Sequence, residues 1–136
     1  MAETVLVDTG FLAALVIRRD SNHAWAVAQL NRHPPPWQTC DAVLSESLYV
    51  IGSEALAPLS TLIRSKALDS SFRISDNADE VLKLMEKYAS VPMSFADACL
   101  VRMTEMLPDP VLLTTDSDFQ IYRRLGRKAV PCIMPG

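Results

Sequence analysis

Short apolar runs alternate along the chain with stretches whose apolar residues return at helical spacing, and this alternation constrains the fold more than any other feature. The β-branched, apolar run at residues 4–7 reads as a buried parallel strand, followed at once by a helix over about residues 11–17. Residues 23–32 carry Trp25, Ala28 and Leu30 among helix formers, and Pro34-Pro35-Pro36 stops that segment. A strand is expected over 37–40, then a helix capped by Asp41 and running to about residue 51. Further helices are expected over 56–68, where Pro58 falls in a tolerant first turn, over 77–88 behind a Ser75 or Asp76 cap, and over 94–106. Strands are expected at 72–74 and 111–115, a short helix at 119–125, and an edge strand at 129–133, because Pro131 cannot donate to a central ladder. The pattern predicts an α/β fold: a central parallel sheet between two layers of helices, with ligands bound outside the carboxyl ends of the strands.

With 136 residues and 49% hydrophobic content, the whole span 1–136 is expected to form one domain with a substantial core. A net charge of −3 excludes a broadly basic nucleic-acid coat but leaves room for a local basic rim. The three cysteines, Cys40, Cys99 and Cys132, lack a Cys-x-x-Cys pair, and an odd number cannot close a disulfide framework. No stretch approaches the roughly 20 apolar residues of a spanning helix, nor is there a basic, apolar leader. A soluble, cytoplasmic protein without a membrane partner is expected.

Several acidic residues fall where such a fold gathers side chains. Asp8 closes the first strand, Glu46 lies in the helix over 41–51 among Val43, Leu44, Leu48 and Val50, Asp97 opens the helix over 94–106, and Asp116 ends the strand over 111–115. Clustered carboxylates repel one another, and hard oxygen donors suit Mg²⁺ or Mn²⁺. Each acid also has a plainer reading. Asp8-Thr9-Gly10 makes a good strand-to-helix turn, Ser94-x-x-Asp97 has the form of a capping box, and Glu46 faces water if its helix is rotated slightly. Otherwise Glu46, amid apolar neighbours, incurs a desolvation cost unless paired or bound to a cation. Asp116 is the better inner ligand of its turn, and Asp118 a second ligand, a water positioner or a helix cap. Thr9 offers a hydroxyl to metal-associated water or phosphate, and Gly10 permits close backbone approach.

The ordered set resembles the PIN-domain nucleases: an Asp after the first strand, a Glu in a central helix, an Asp opening a later helix, and a Thr-x-Asp-x-Asp-Phe element, here Thr114-x-Asp116-x-Asp118-Phe119. The resemblance runs from Val5 to Phe119, and the compact length is similar to that of VapC-type toxin ribonucleases. It implies a PIN-like three-layer α/β/α sandwich and metal-dependent hydrolysis of RNA phosphodiester bonds. Asp8, Glu46, Asp97 and Asp116 are then catalytic metal ligands for Mg²⁺ or Mn²⁺, with Asp118 as a further ligand and Thr9 and Thr114 in support. It also implies an RNA substrate and a cognate antitoxin, while apolar helical faces suit a homodimer or the antitoxin.

Arg18, Arg19, Arg102, Arg123, Arg124, Arg127 and Lys128 are candidates for guiding the phosphate chain, although exposed basic residues commonly serve only solvation. Trp25, Trp37 and Phe95 are available for base stacking or for the core. His23 and His33 form no spaced metal pair, and no Ser or Cys has an evident base. Two rival readings remain. An acidic-site phosphohydrolase of another α/β family predicts a covalent phosphoenzyme, but Asp8-Thr9-Gly10 lacks the second aspartate of a haloacid-dehalogenase-type motif. A catalytically weak PIN-like module predicts protein or RNA binding without cleavage.

Overall fold

A computed structural model describes residues 2–136. Strand β1 (Thr4–Val7) runs into α1 (Thr9–Val16), and α2 (His23–Arg32) leads to β2 (Trp37–Gln38). Next come α3 (Asp41–Ile51), α4 (Leu56–Arg64), β3 (Leu68–Asp69), α5 (Ala78–Lys87), α6 (Phe95–Met106) and β4 (Pro110–Leu113). The chain ends with β5 (Arg123–Arg124), β6 (Lys128–Ala129) and β7 (Cys132–Ile133). Five strands form one parallel sheet in the order β3-β2-β1-β4-β7, with Thr4 opposite Pro110 and Val7 opposite Leu113. This register brings the carboxyl ends of β1 and β4 side by side, which sets Asp8 next to the turn carrying Asp116.

The sheet is flanked by helices, as the alternation predicts. Helix α1 packs on α2 and α3, α5 packs on α6, and α3 also meets α6. Leu6, Val7, Phe11, Leu12, Leu112 and Leu113 are fully buried at the centre. The Phe11 ring meets Trp25 and Trp37 edge-on, with centroids 5.8 and 5.2 Å away. Full burial of the Phe11 and Trp37 rings contributes about 1.5–3 kcal/mol each. Trp37 is therefore a core residue, Trp25 packs against the core, and only Phe95 of the three stacking candidates is exposed.

Several boundaries differ from expectation. The helix expected over 56–68 stops at Arg64, and Lys66 adopts a left-handed backbone with φ of 66° that a continuing helix excludes. The strand expected at 72–74 lies instead at Leu68–Asp69, where Leu68 is buried and registers with Trp37, while Ile74–Asp76 forms a 3₁₀ turn. Asn77, rather than Ser75 or Asp76, occupies the cap position of α5, and Cys40 rather than Asp41 that of α3, neither with a side-chain capping bond.

The helix expected over 119–125 is replaced by a 3₁₀ turn, Ser117–Gln120, and an antiparallel β5–β6 hairpin. Leu125 and Gly126 turn that hairpin with φ of 53° and 85°. The final strand does lie at the sheet edge, where the Pro131 carbonyl accepts from Leu112 N at 2.8 Å. Among the described residues no helix is long and apolar enough to cross a membrane.

Candidate active site

Asp8, Glu46, Asp97 and Asp116 line one cleft of about 280 Å³ beyond the carboxyl ends of β1 and β4. Thr9, Gly10, Ala96 and Thr115 complete its polar and small-residue walls. The acids reach it through local structure that the sequence dictates. Asp8 caps α1, its Oδ1 accepting from Phe11 N at 2.9 Å. Asp97 completes a capping box: its N–H donates to Ser94 Oγ at 3.0 Å, and its Oδ2 accepts from Ser94 N at 3.3 Å. Asp116 caps the following 3₁₀ turn, its Oδ1 accepting from Asp118 N at 2.9 Å. Capping and cleft lining thus coincide in three residues, because a helix start is where a carboxylate finds backbone donors.

Thr114 ties two of these acids together from a fully buried position. Its hydroxyl donates to Asp8 Oδ2 and accepts from Asp116 N at 3.0 Å. Tyr122, also fully buried, donates its hydroxyl to Asp97 Oδ2 at 3.0 Å. Among the described residues, Asp97 Oδ1 and Asp116 Oδ2 accept no hydrogen bond. Burial pushes the Asp8 carboxyl up to about 6, against the pull of the Thr114 and Phe11 bonds and with help from the Asp116 and Asp97 charges. Burial likewise raises Asp97, opposed by the bonds from Tyr122 and Ser94. A cation bound in the cleft would relieve this desolvation and repulsion.

Two expectations need correction. Glu46 lines the cleft but is an exposed residue, because the buried stripe of α3 runs through Val43 and Ser47; the desolvation argument for it therefore fails. Three of the basic candidates are committed to holding the fold. Arg102 donates from Nε to Asn77 Oδ1 at 2.9 Å and pairs with Glu105, Arg123 donates to the carbonyls of Gln120, Ile121 and Tyr122, and Arg124 donates to Thr104 O. Arg19 pairs with Glu54, while Arg18, Arg127 and Lys128 are exposed.

Asp118 is half-buried and stands outside the cleft lining, its backbone N–H bonded to Asp116 Oδ1. Thr115 and Tyr122 escaped the sequence reading. A Cβ added at Gly10 stands 2.0 Å from Thr115 Oγ1, so the α1 backbone and the acidic turn meet at contact distance.

The cleft passes a chemical test for a hydrated divalent cation. The Thr9 hydroxyl is buried and unpartnered, although Thr9 lines the cleft, and such an atom calls for a water or ligand oxygen. Among the described residues, no three His, Cys, Asp or Glu side chains converge closely enough to enclose an ion unaided.

A parallel α/β sandwich with an acidic cleft at the switch between β1 and its neighbours defines a class of site, and comparison with known proteins gives the family. The PIN domain family model matches residues 5–125, and the chain belongs to that family. Its fold is similar to the crystal structure of Mycobacterium tuberculosis VapC20, a sarcin-ricin loop cleaving toxin, with a TM-score of 0.74 at 21% identity over 87% of this chain and 94% of that one. No curated protein matches at a significant level.

Proposed function

We propose that this protein is a divalent-metal-dependent endoribonuclease that hydrolyses RNA phosphodiester bonds, and that it is the toxin of a toxin–antitoxin pair. The observation that carries the reading is the convergence of Asp8, Asp97, Asp116 and Glu46 on one cleft beside the unpartnered Thr9 hydroxyl. PIN-family membership and the VapC20-like fold support it.

Asp8, Asp97 and Asp116, with Glu46 at the exposed rim, would hold Mg²⁺ or Mn²⁺. When bound, the metal supplies Lewis acidity toward the phosphate and lowers the pKa of water. The protein's own part is orientation. The Phe11 N–H and the Thr114 hydroxyl fix the Asp8 carboxylate, and the same Thr114 oxygen receives the Asp116 N–H, so one side chain sets both acids. Thr9 would donate its hydroxyl to a buried water, and the Asp118 backbone N–H holds Asp116 Oδ1. No protein nucleophile is needed.

The 136-residue span acts as one functional unit in the cytoplasm. Exposed Leu48, Tyr49, Val50 and Leu56, at the end of α3 and the start of α4, offer apolar surface for a homodimer or an antitoxin. Of the basic candidates, Arg18, Arg127 and Lys128 are exposed without a side-chain partner among the described residues and would meet RNA phosphates.

Single-turnover cleavage of a varied RNA pool tests the reading. Wild-type protein is expected to cut with Mg²⁺ or Mn²⁺ and to stop with chelator, and Asp8→Asn and Asp97→Asn are each expected to lose at least about 100-fold. Equal cleavage by all three proteins, or cleavage unaffected by chelator, would overturn it.

A further inference from the structure

We infer that Tyr122 is a positioning residue of the acidic cleft, its hydroxyl holding one oxygen of Asp97 so that the other is presented to a divalent cation; the inference rests on the metal-dependent reading of that cleft. Tyr122 does not line the cleft and is fully buried, so it acts through Asp97 rather than on substrate. A buried phenol needs a hydrogen-bond partner, and here the partner is a carboxylate at 3.0 Å. The same Oδ2 accepts from Ser94 N, which leaves Oδ1 as the oxygen without a protein partner among the described residues.

The surroundings lock the phenol in place. Its ring meets those of Tyr88 and Phe119 edge-on, at 5.1 and 5.4 Å between centroids. Its backbone N–H donates to Asp118 O at 3.3 Å, so a single residue is bonded to the acidic turn through its main chain and to the α6 acid through its hydroxyl. Tyr122 thereby couples the two walls of the cleft that carry Asp116 and Asp97. Outer partners of metal-binding carboxylates commonly change affinity by about 10–100-fold when removed.

Mn²⁺ titration calorimetry on the full chain tests this, with thermal unfolding measured alongside. Tyr122→Phe keeps the ring and its packing; Tyr88→Phe removes a phenol from the same cluster that bonds Arg123 N instead of Asp97. Tyr122→Phe is expected to bind Mn²⁺ about 10–100-fold more weakly, at a metal-free melting temperature near that of wild type, and Tyr88→Phe to bind normally. In an Asp97→Asn background, Tyr122→Phe is expected to add little, because its action runs through that carboxylate.

Unchanged Mn²⁺ affinity in Tyr122→Phe, equal losses in both phenylalanine variants, or full additivity with Asp97→Asn would overturn the inference. Wild-type protein showing no Asp8-dependent Mn²⁺ binding would instead sink the metal reading itself, and the inference with it.

Discussion

A carboxylate that is buried and crowded by like charges favours its protonated form, and Asp8 illustrates what this means for stability. Its folded-state pKa of about 6 lies above the ordinary value of 3.8, so the metal-free folded protein binds more protons than the unfolded chain between those values. Stability then falls as pH rises from about 4 to 6, by about 3 kcal/mol at about 1.4 kcal/mol per pK unit. Denaturant unfolding in chelator is expected to show this loss in wild type and not in Asp8→Asn, and Mn²⁺ is expected to restore stability only to the wild type. Thr114→Val strips the donor from Asp8 and the acceptor from Asp116 N in a fully buried place. It should cost about 1–3 kcal/mol in unfolding free energy and lower cleavage with it. At this scale the sequence was informative where function and capping share a residue, as at Asp8, Asp97 and Asp116. Tyr122 left no trace in it, because a hydroxyl that bonds an acid 25 positions away produces no local spacing.

Where helices start fixes the cleft, and two contacts between elements expose how. Gly10 lets α1 approach the turn after β4, and Gly10→Ala drives a methyl into Thr115 Oγ1. We expect a loss of about 1–3 kcal/mol from overpacking, together with impaired cleavage. Thr115→Ala should recover most of the stability when added to Gly10→Ala, which a double-mutant cycle of unfolding free energies measures. Arg102 is a strut between α5 and α6 rather than an RNA contact, given its bonds to Asn77 and Glu105. Arg102→Ala should therefore lower the melting temperature while leaving the RNA affinity of the folded protein unchanged, as measured by filter binding. Helix α6 was legible because Ser94-x-x-Asp97 marks its start, and α2 because its run of helix formers meets the triple proline. The two-residue β3 and the β5–β6 hairpin were not, since such short pieces are fixed by pairing with distant strands and by left-handed residues such as Lys66 and Leu125.

Across the whole molecule, parallel pairing of β1 with β4 joins positions more than 100 residues apart and makes one cleft from acids dispersed along the chain. The sheet order was beyond the sequence, but the expectation that ligands gather at strand carboxyl ends needed only the alternation of strands and helices. Glu46 shows the limit of that reasoning: it reaches the cleft from the exposed side of α3, a matter of helix rotation that composition does not set. On the proposed function, this cleft promotes attack of water on an RNA phosphodiester with a divalent metal and without a protein nucleophile. That reaction is tested most directly by running single-turnover cleavage in ¹⁸O-labelled water with Mn²⁺ and analysing the product ends by mass spectrometry. One ¹⁸O is expected in the newly formed terminal phosphate, with product absent in chelator and strongly reduced in Asp8→Asn. Unlabelled or cyclic phosphate ends, a phosphorylated protein intermediate, or undiminished product in chelator would contradict it.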